Sequence, residues 1–304
     1  MRILIATLAS LALLYAAPAR ADSVHDALDA YALYQNDVSV LLDLEIDSAQ
    51  AVNGAVARVS RHNPARVSRG WIAYGALVAA QSPAFASGVE QRIEASSRAQ
   101  VLRDMRADVT YARRQADGAP NAIRLILSAA GADGARAAYA GDRYDSIARG
   151  ETARWINSSE RLGALTRASA NLTPAMRERL HINALAVNPA SDADAFGGRR
   201  FWDSLSNREG RPARGRNGRE HRSYTDVTDR MLTLGALIVM DATDSERSRV
   251  SALLNEPLTQ QCLSMQQLQL RQCLSVSVDT SERTYCLASH GLTGPGGCFS
   301  AMAR

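Results

Sequence analysis

The sequence predicts an all-α fold: an Ala-rich multi-helix bundle followed by a disulfide-clamped helical hairpin tail. Three observations predict it. Alanine occurs 53 times, and all 35 basic residues are arginine; both residue types are strong helix formers. Capping residues stand directly before prolines at several points, the pattern of helix starts. No β-hairpin sequence interrupts the helical spacing.

Residues 1–21 read as a cleaved export signal. Arg2 supplies the positive end, Ile3 to Tyr15 the apolar stretch, and Ala19-Arg20-Ala21 the small-x-small cleavage site. The mature chain is expected to begin at Asp22, to be periplasmic or secreted, and to carry no transmembrane span. Its longest later apolar run, Met231 to Met240, is about half a membrane span and reads as a buried helix.

Composition divides the mature chain. Residues 1–195 hold 46 of the 53 alanines, and all four cysteines fall in the last 43 residues. The expected organisation is an Ala-rich helical domain over 22–195, an exposed Arg/Gly-rich loop over 196–222, and a helical C-terminal region over 223–304.

Within the first region, Ser23-x-x-Asp26 reads as a capping box. Val24, Leu28, Tyr31, Val38, Leu41, Leu42 and Glu45 follow at near-helical spacing on one face. Asn63-Pro64, Ser82-Pro83, Ala119-Pro120 and Thr173-Pro174 mark later helix starts, as do Asn157 and Glu160. Trp71, Tyr74 and Val78 mark a buried face. Asp117-Gly118 and Asp133-Gly134 read as turns between helices. In the last region Ser223-x-x-Asp226 reads as a further capping box, with Val227, Met231, Leu234 and Ile238 behind it. Asp244 or Ser245 is expected to cap a short helix, and Pro257 to open a longer one.

The four cysteines allow three pairings. In a helix over 257–278, Cys262 and Cys273 lie 11 residues apart, which is about 16 Å of rise and three turns. They face the same way and cannot bond to each other. A turn at Asp279-Thr280, with Thr280 as the cap, puts Cys273 opposite Cys286 and Cys262 opposite Cys298 in one antiparallel hairpin. Nested bonds Cys273–Cys286 and Cys262–Cys298 follow. The pattern resembles helical hairpins stapled by twin Cys-x(n)-Cys segments, with unequal spacings of x10 and x11. Gly291, Gly294, Pro295, Gly296 and Gly297 are expected to break the second arm, and Leu274 to Val278 alternates as a short strand would. Export and the wide gaps disfavour a zinc site.

The chemistry is bounded mainly by exclusion. Without lysine there is no Schiff-base, P-loop or Ser-x-x-Lys enzyme. No His-x-x-x-His pair and no Gly-x-Ser-x-Gly occurs, and no metal or cofactor is expected. His290 follows Cys286 by four, but a disulfide would consume that thiol. Asp192-x-Asp194-x-Phe196 echoes a calcium loop but lacks its final glutamate. A glycan-cleaving enzyme acting on peptidoglycan would need a carboxylic acid in an apolar groove. Glu45, on the first helix's stripe, is the candidate; Glu151 and Glu160 lie near Trp155.

The basic residues Arg199, Arg200, Arg208, Arg211, Arg214, Arg216, Arg219 and Arg222 stand against Asp203, Glu209 and Glu220. Arg forks suit phosphate and carboxylate. The expected function is therefore that of an exported, non-enzymatic envelope interaction or scaffold protein. Its expected partner is an envelope protein or an anionic envelope polymer, not nucleic acid. The peptidoglycan-active enzyme is the alternative.

Overall fold

The structure is a computed structural model that describes residues 24–150 and 220–303. Every regular element among these residues is helical. The expected signal segment, the starts at 157 and 173, Trp155 with its neighbouring glutamates, and the residues of the calcium-like sequence lie outside the described residues.

Helix α1 spans Val24–Asp43, α2 Ala49–Ser60 and α3 Pro64–Ala80. Asn63 caps α3 as its sequence predicts: its side chain accepts from the Arg66 amide at 3.1 Å. Pro83–Ala95 forms α4, Arg98–Ala107 α5 and Tyr111–Gln115 α6. Gly118, with φ of 80°, then turns the chain into α7, Ala119–Ala148. Asp117-Gly118 is thus a turn, and Asp133-Gly134 is not. The second pair lies inside α7, where two tertiary contacts override its turn chemistry. Asp133 is buried beside Tyr31 and Arg136. Gly134 lets another helix approach: a Cβ there would sit 2.5 Å from Ser300 Cβ and 2.7 Å from the Gly296 carbonyl.

The chain re-enters at Glu220 and makes a short 3-10 turn, Arg222–Tyr224, before α8, Thr225–Val239. Helix α8 therefore starts one residue later than a Ser223 cap requires. The Ser223 amide instead donates to His221 Nδ1 at 3.3 Å. Helix α9, Arg247–Leu254, has Glu246 at its cap position, because Ser245 Oγ turns back to the Ala242 carbonyl. Helix α10 runs Pro257–Val276, capped by the Glu256 carboxylate on the Leu258 and Thr259 amides. Its length overrides the strand-like alternation from Leu274 to Val278. Asp279 rather than Thr280 caps α11, Thr280–Cys286, accepting from the Glu282 amide at 2.8 Å.

The glycines that follow do not break this arm. It continues as a π-helical segment, Leu287–Thr293, then α12, Gly294–Ser300. The bonds are Cys262–Cys298 and Cys273–Cys286, with Cα–Cα distances of 5.7 Å and 5.6 Å. The π segment explains why unequal spacings work. Eleven residues on α10 return to the same face, but twelve α-helical residues from Cys286 to Cys298 overshoot it by a third of a turn. A wider i→i+5 turn absorbs the extra residue.

The core joins both ends of the chain. Trp71 and Tyr74 of α3, Tyr31 and Tyr34 of α1, and Phe299 of α12 form one chain of ring contacts with centroids 5.2 to 6.4 Å apart. Met231 and Leu234 of α8 belong to the same buried cluster. The alanine-rich helices and the C-terminal region thus share one core. Among the described residues, no helix is long and apolar enough to cross a membrane.

Candidate functional site

The site-bearing part of the molecule is the disulfide-clamped arm, α10 to α12, and the surface it covers on α1–α3. Two places there combine chemistry with access.

The first is a small cleft of about 40 Å³ lined by Tyr34, His62, Gln267 and His290 among apolar side chains such as Val67 and Leu263. His62 lies in the link between α2 and α3, which a buried carboxylate holds in place. Asp37 on α1 accepts from Arg58 at 2.8 Å, from Arg61 at 2.6 and 2.8 Å, and contacts His62 Nε2 at 2.7 Å. Burial pushes the Asp37 carboxyl up, but these hydrogen bonds outweigh it and hold it below the usual carboxylate range. Gln267 of α10 donates to the His62 carbonyl at 2.8 Å, tying the clamped arm to the same link. The Tyr34 hydroxyl is buried without a hydrogen-bond partner. Burial raises its phenol well above the ordinary range. His290 comes from the π segment, whose wider turn also serves the disulfide register.

This cleft offers two imidazoles, a phenol and an amide, but no thiol, since all four cysteines are bonded. The Cys286–His290 nucleophile is thereby removed. No group of three or more potential metal-ligating side chains occurs among the described residues. A second buried network lies deeper. The Tyr31 hydroxyl donates to Asp133, Gln35 donates to Tyr31 at 2.7 Å, and Arg136 donates to both Gln35 and Asp133. Burial pushes the Asp133 carboxyl up to about 6, against the pull of Arg136 and the Tyr31 hydrogen bond. The network joins α1 to α7 inside the core and has no role at the surface.

The second place is the outward face of α10. Its buried face carries Thr259, Leu263 and Leu270. The opposite face exposes Met265 by 52%, Leu268 by 49% and Val276 by 76%. Arg271 is the one charged residue among the helix's twenty. Solvent-facing helix surfaces are ordinarily charged, as α5 is with Arg98, Arg103, Asp104 and Arg106 in ten residues.

The predicted site residues are distributed unevenly over this structure. The two disulfides stand as paired from the spacing. Glu45 does not lie on the stripe of α1. The helix ends at Asp43, and Glu45 is exposed in the connection to α2. The stripe stops before reaching it, and its side chain is exposed between Leu44 and Ile46, which pack inward. Arg199, Arg200, Arg208, Arg211, Arg214, Arg216 and Arg219 lie outside the described residues. Arg222 is exposed in the 3-10 turn. The end of that segment is tied down: Glu220 accepts from Arg113 at 2.6 and 2.8 Å, and the His221 amide donates to the Met302 carbonyl at 3.2 Å. The described end of the expected loop, from Glu220 on, is thus held to the body.

Sequence reasoning missed the Asp37–His62 pair and the bare face of α10. The first joins residues 25 apart through tertiary packing and has no local signal. The second was visible as a helix with a single charge, but which side faces outward depends on the fold. No family model, no curated protein and no solved structure matches the chain.

Proposed function

We propose that this chain is an exported, non-enzymatic interaction or scaffold protein of the cell envelope. It works by presenting a rigid helical surface rather than by turning over a substrate. The observation that carries this reading is the outward face of α10. Apolar and uncharged side chains stand exposed on a helix that two disulfides tie to α11 and α12. Charge depletion marks the centre of protein interfaces, and contiguous exposed apolar surface marks binding sites. The disulfides are compatible with an oxidising compartment such as the periplasm. The arginine-rich segment, Arg199 to Arg222, supplies a second contact, to phosphate or carboxylate groups of an anionic envelope polymer.

One experiment tests both halves. The mature chain, 22–304, is incubated with purified envelopes and sacculi, and bound protein and released muropeptides are measured. Binding without muropeptide release is expected, weakened by Met265→Glu with Leu268→Glu. Replacing Arg208, Arg211, Arg214, Arg216 and Arg219 by Gln should weaken it further and flatten its salt dependence. Muropeptide release that disappears in Glu45→Gln would overturn the non-enzymatic reading.

A further inference from the structure

We propose that α10 pairs with α10 of a second copy, antiparallel across a two-fold axis. This rests on the reading of that face as an interaction surface and names its partner.

Flanked on one side by the exposed Ser264, Arg271 and Ser275, the exposed residues Leu258, Gln261, Met265, Leu268, Gln272 and Val276 stand along the middle of the face. Their intervals of three and four residues are those by which helices pack along a seam. By polarity they read apolar, Gln, apolar, apolar, Gln, apolar, which is the same in both directions. A two-fold interface is self-complementary, each residue i meeting j while j meets i. With the axis between Met265 and Leu268, Met265 meets the partner's Leu268 and Gln261 meets the partner's Gln272. Leu258 and the partner's Val276, one residue out of this register, close the two ends of the seam. Apolar layers stack on apolar layers, and each glutamine amide meets another that can both donate and accept. A polar pair within such a seam fixes its register.

Charge selects the same orientation. A parallel pair would set the two Arg271 side chains beside each other. The antiparallel pair separates them by about 13 Å along the axis, beyond the Debye length of ~8 Å in physiological salt.

The area sets the strength. A 20-residue helix is about 30 Å long, and a face some 12 Å wide presents roughly 400 Å². Two copies bury roughly 800 Å², which Val278, exposed just past the end of α10, extends toward the ~1,200 Å² lower edge of stable interfaces. A dissociation constant in the micromolar range is expected, on the order of that for small transient interfaces.

Sedimentation equilibrium of the purified mature chain provides the test. The weight-average mass should climb from monomer toward dimer between about 1 and about 200 μM. Met265→Glu with Leu268→Glu should weaken association at least 100-fold while circular dichroism and both disulfides stay unchanged. Gln261→Glu with Gln272→Glu should also leave a monomer, by like-charge opposition. Gln261→Glu with Gln272→Arg should restore the dimer, because the antiparallel register pairs Glu with Arg. A wild-type monomer throughout the range overturns the proposal, and so does a dimer indifferent to the position 265 and 268 changes. Failure of the charge pair to restore association overturns the antiparallel register. Envelope binding plays no part in this measurement, so a dimer that ignores envelopes would refute the proposed function alone.

Discussion

Asp37 is the residue through which α1 positions the α2–α3 link and the cleft beside it. Replacing it by Asn keeps its shape and removes its charge. The cost follows from the exposure of its partners. A hydrogen bond to a charged group contributes about 1.5–3 kcal/mol when buried. Only the His62 contact qualifies fully, its side chain being 9% exposed. Arg58 and Arg61 are 36% and 45% exposed, so solvent screening reduces each to less than about 1 kcal/mol. The sum is roughly 3 kcal/mol for Asp37→Asn, against about 1 kcal/mol or less for Arg58→Ala or Arg61→Ala. The pH dependence has a definite sign. The native carboxyl is held below its ordinary value, so its contribution is present above about pH 4 and is lost as pH falls through the depressed native value. Urea denaturation of wild type and variant at pH 7 and at pH 3.5 measures both effects. The gap should be full at pH 7 and narrower at pH 3.5. A loss below about 0.5 kcal/mol at pH 7, or a gap that widens in acid, would refute the assignment of Asp37 as the organising charge.

Two glycines one turn apart on α7 should respond in opposite directions to alanine. Gly131 has open space where a Cβ would stand, so Gly131→Ala should stabilise by about 0.5–1 kcal/mol through helix propensity. Gly134→Ala forces Ser300 and the Gly296 carbonyl away and should destabilise by about 1–3 kcal/mol; equal midpoints in thermal unfolding would contradict the packing of α7 on α12. Removing Cys273–Cys286, whose partners are 13 residues apart, should cost about 3 kcal/mol by loop closure. The outer bond, 36 apart, has a nominal value of about 4 kcal/mol. Because the loops are nested, loss of both in a reduced denaturation series should cost less than the sum.

The elements legible in the sequence were those fixed by short-range chemistry. Asn63 and Pro64 start α3 by a cap and a fixed φ, and Gly118 turns the chain by its left-handed backbone. The cysteine pairing was legible because helical rise forbids Cys262–Cys273 and an antiparallel hairpin excludes the crossed pairing. Misreadings arose where packing overrode a local preference. Asp133-Gly134 has turn chemistry, yet Tyr31, Arg136 and the close approach of α12 hold it helical. The glycines after His290 have loop chemistry, yet the clamp and Phe299's place among the aromatic rings keep them wound. Glu45 fitted a periodic stripe that the helix ends too early to use. The Asp37–His62 pair had no local signature at all.

Helix α10 shows why its outward face carries information. Helix α3 buries twelve of its seventeen residues, whereas α10 buries three of twenty. Apolar burial of about 1.5–3 kcal/mol per large side chain therefore gives α10 little to hold it against the body. The two covalent bonds, with Glu256 at its cap and Gln267 on the His62 carbonyl, supply that hold instead. All of these anchors lie at its end or along its inner side. Among the described residues, Met265 and Leu268 lie outside the buried core, about half exposed. That α10 exposes apolar side chains and carries a single charge, while its mid-face reads the same in both directions, is what a partner of the same sequence would account for.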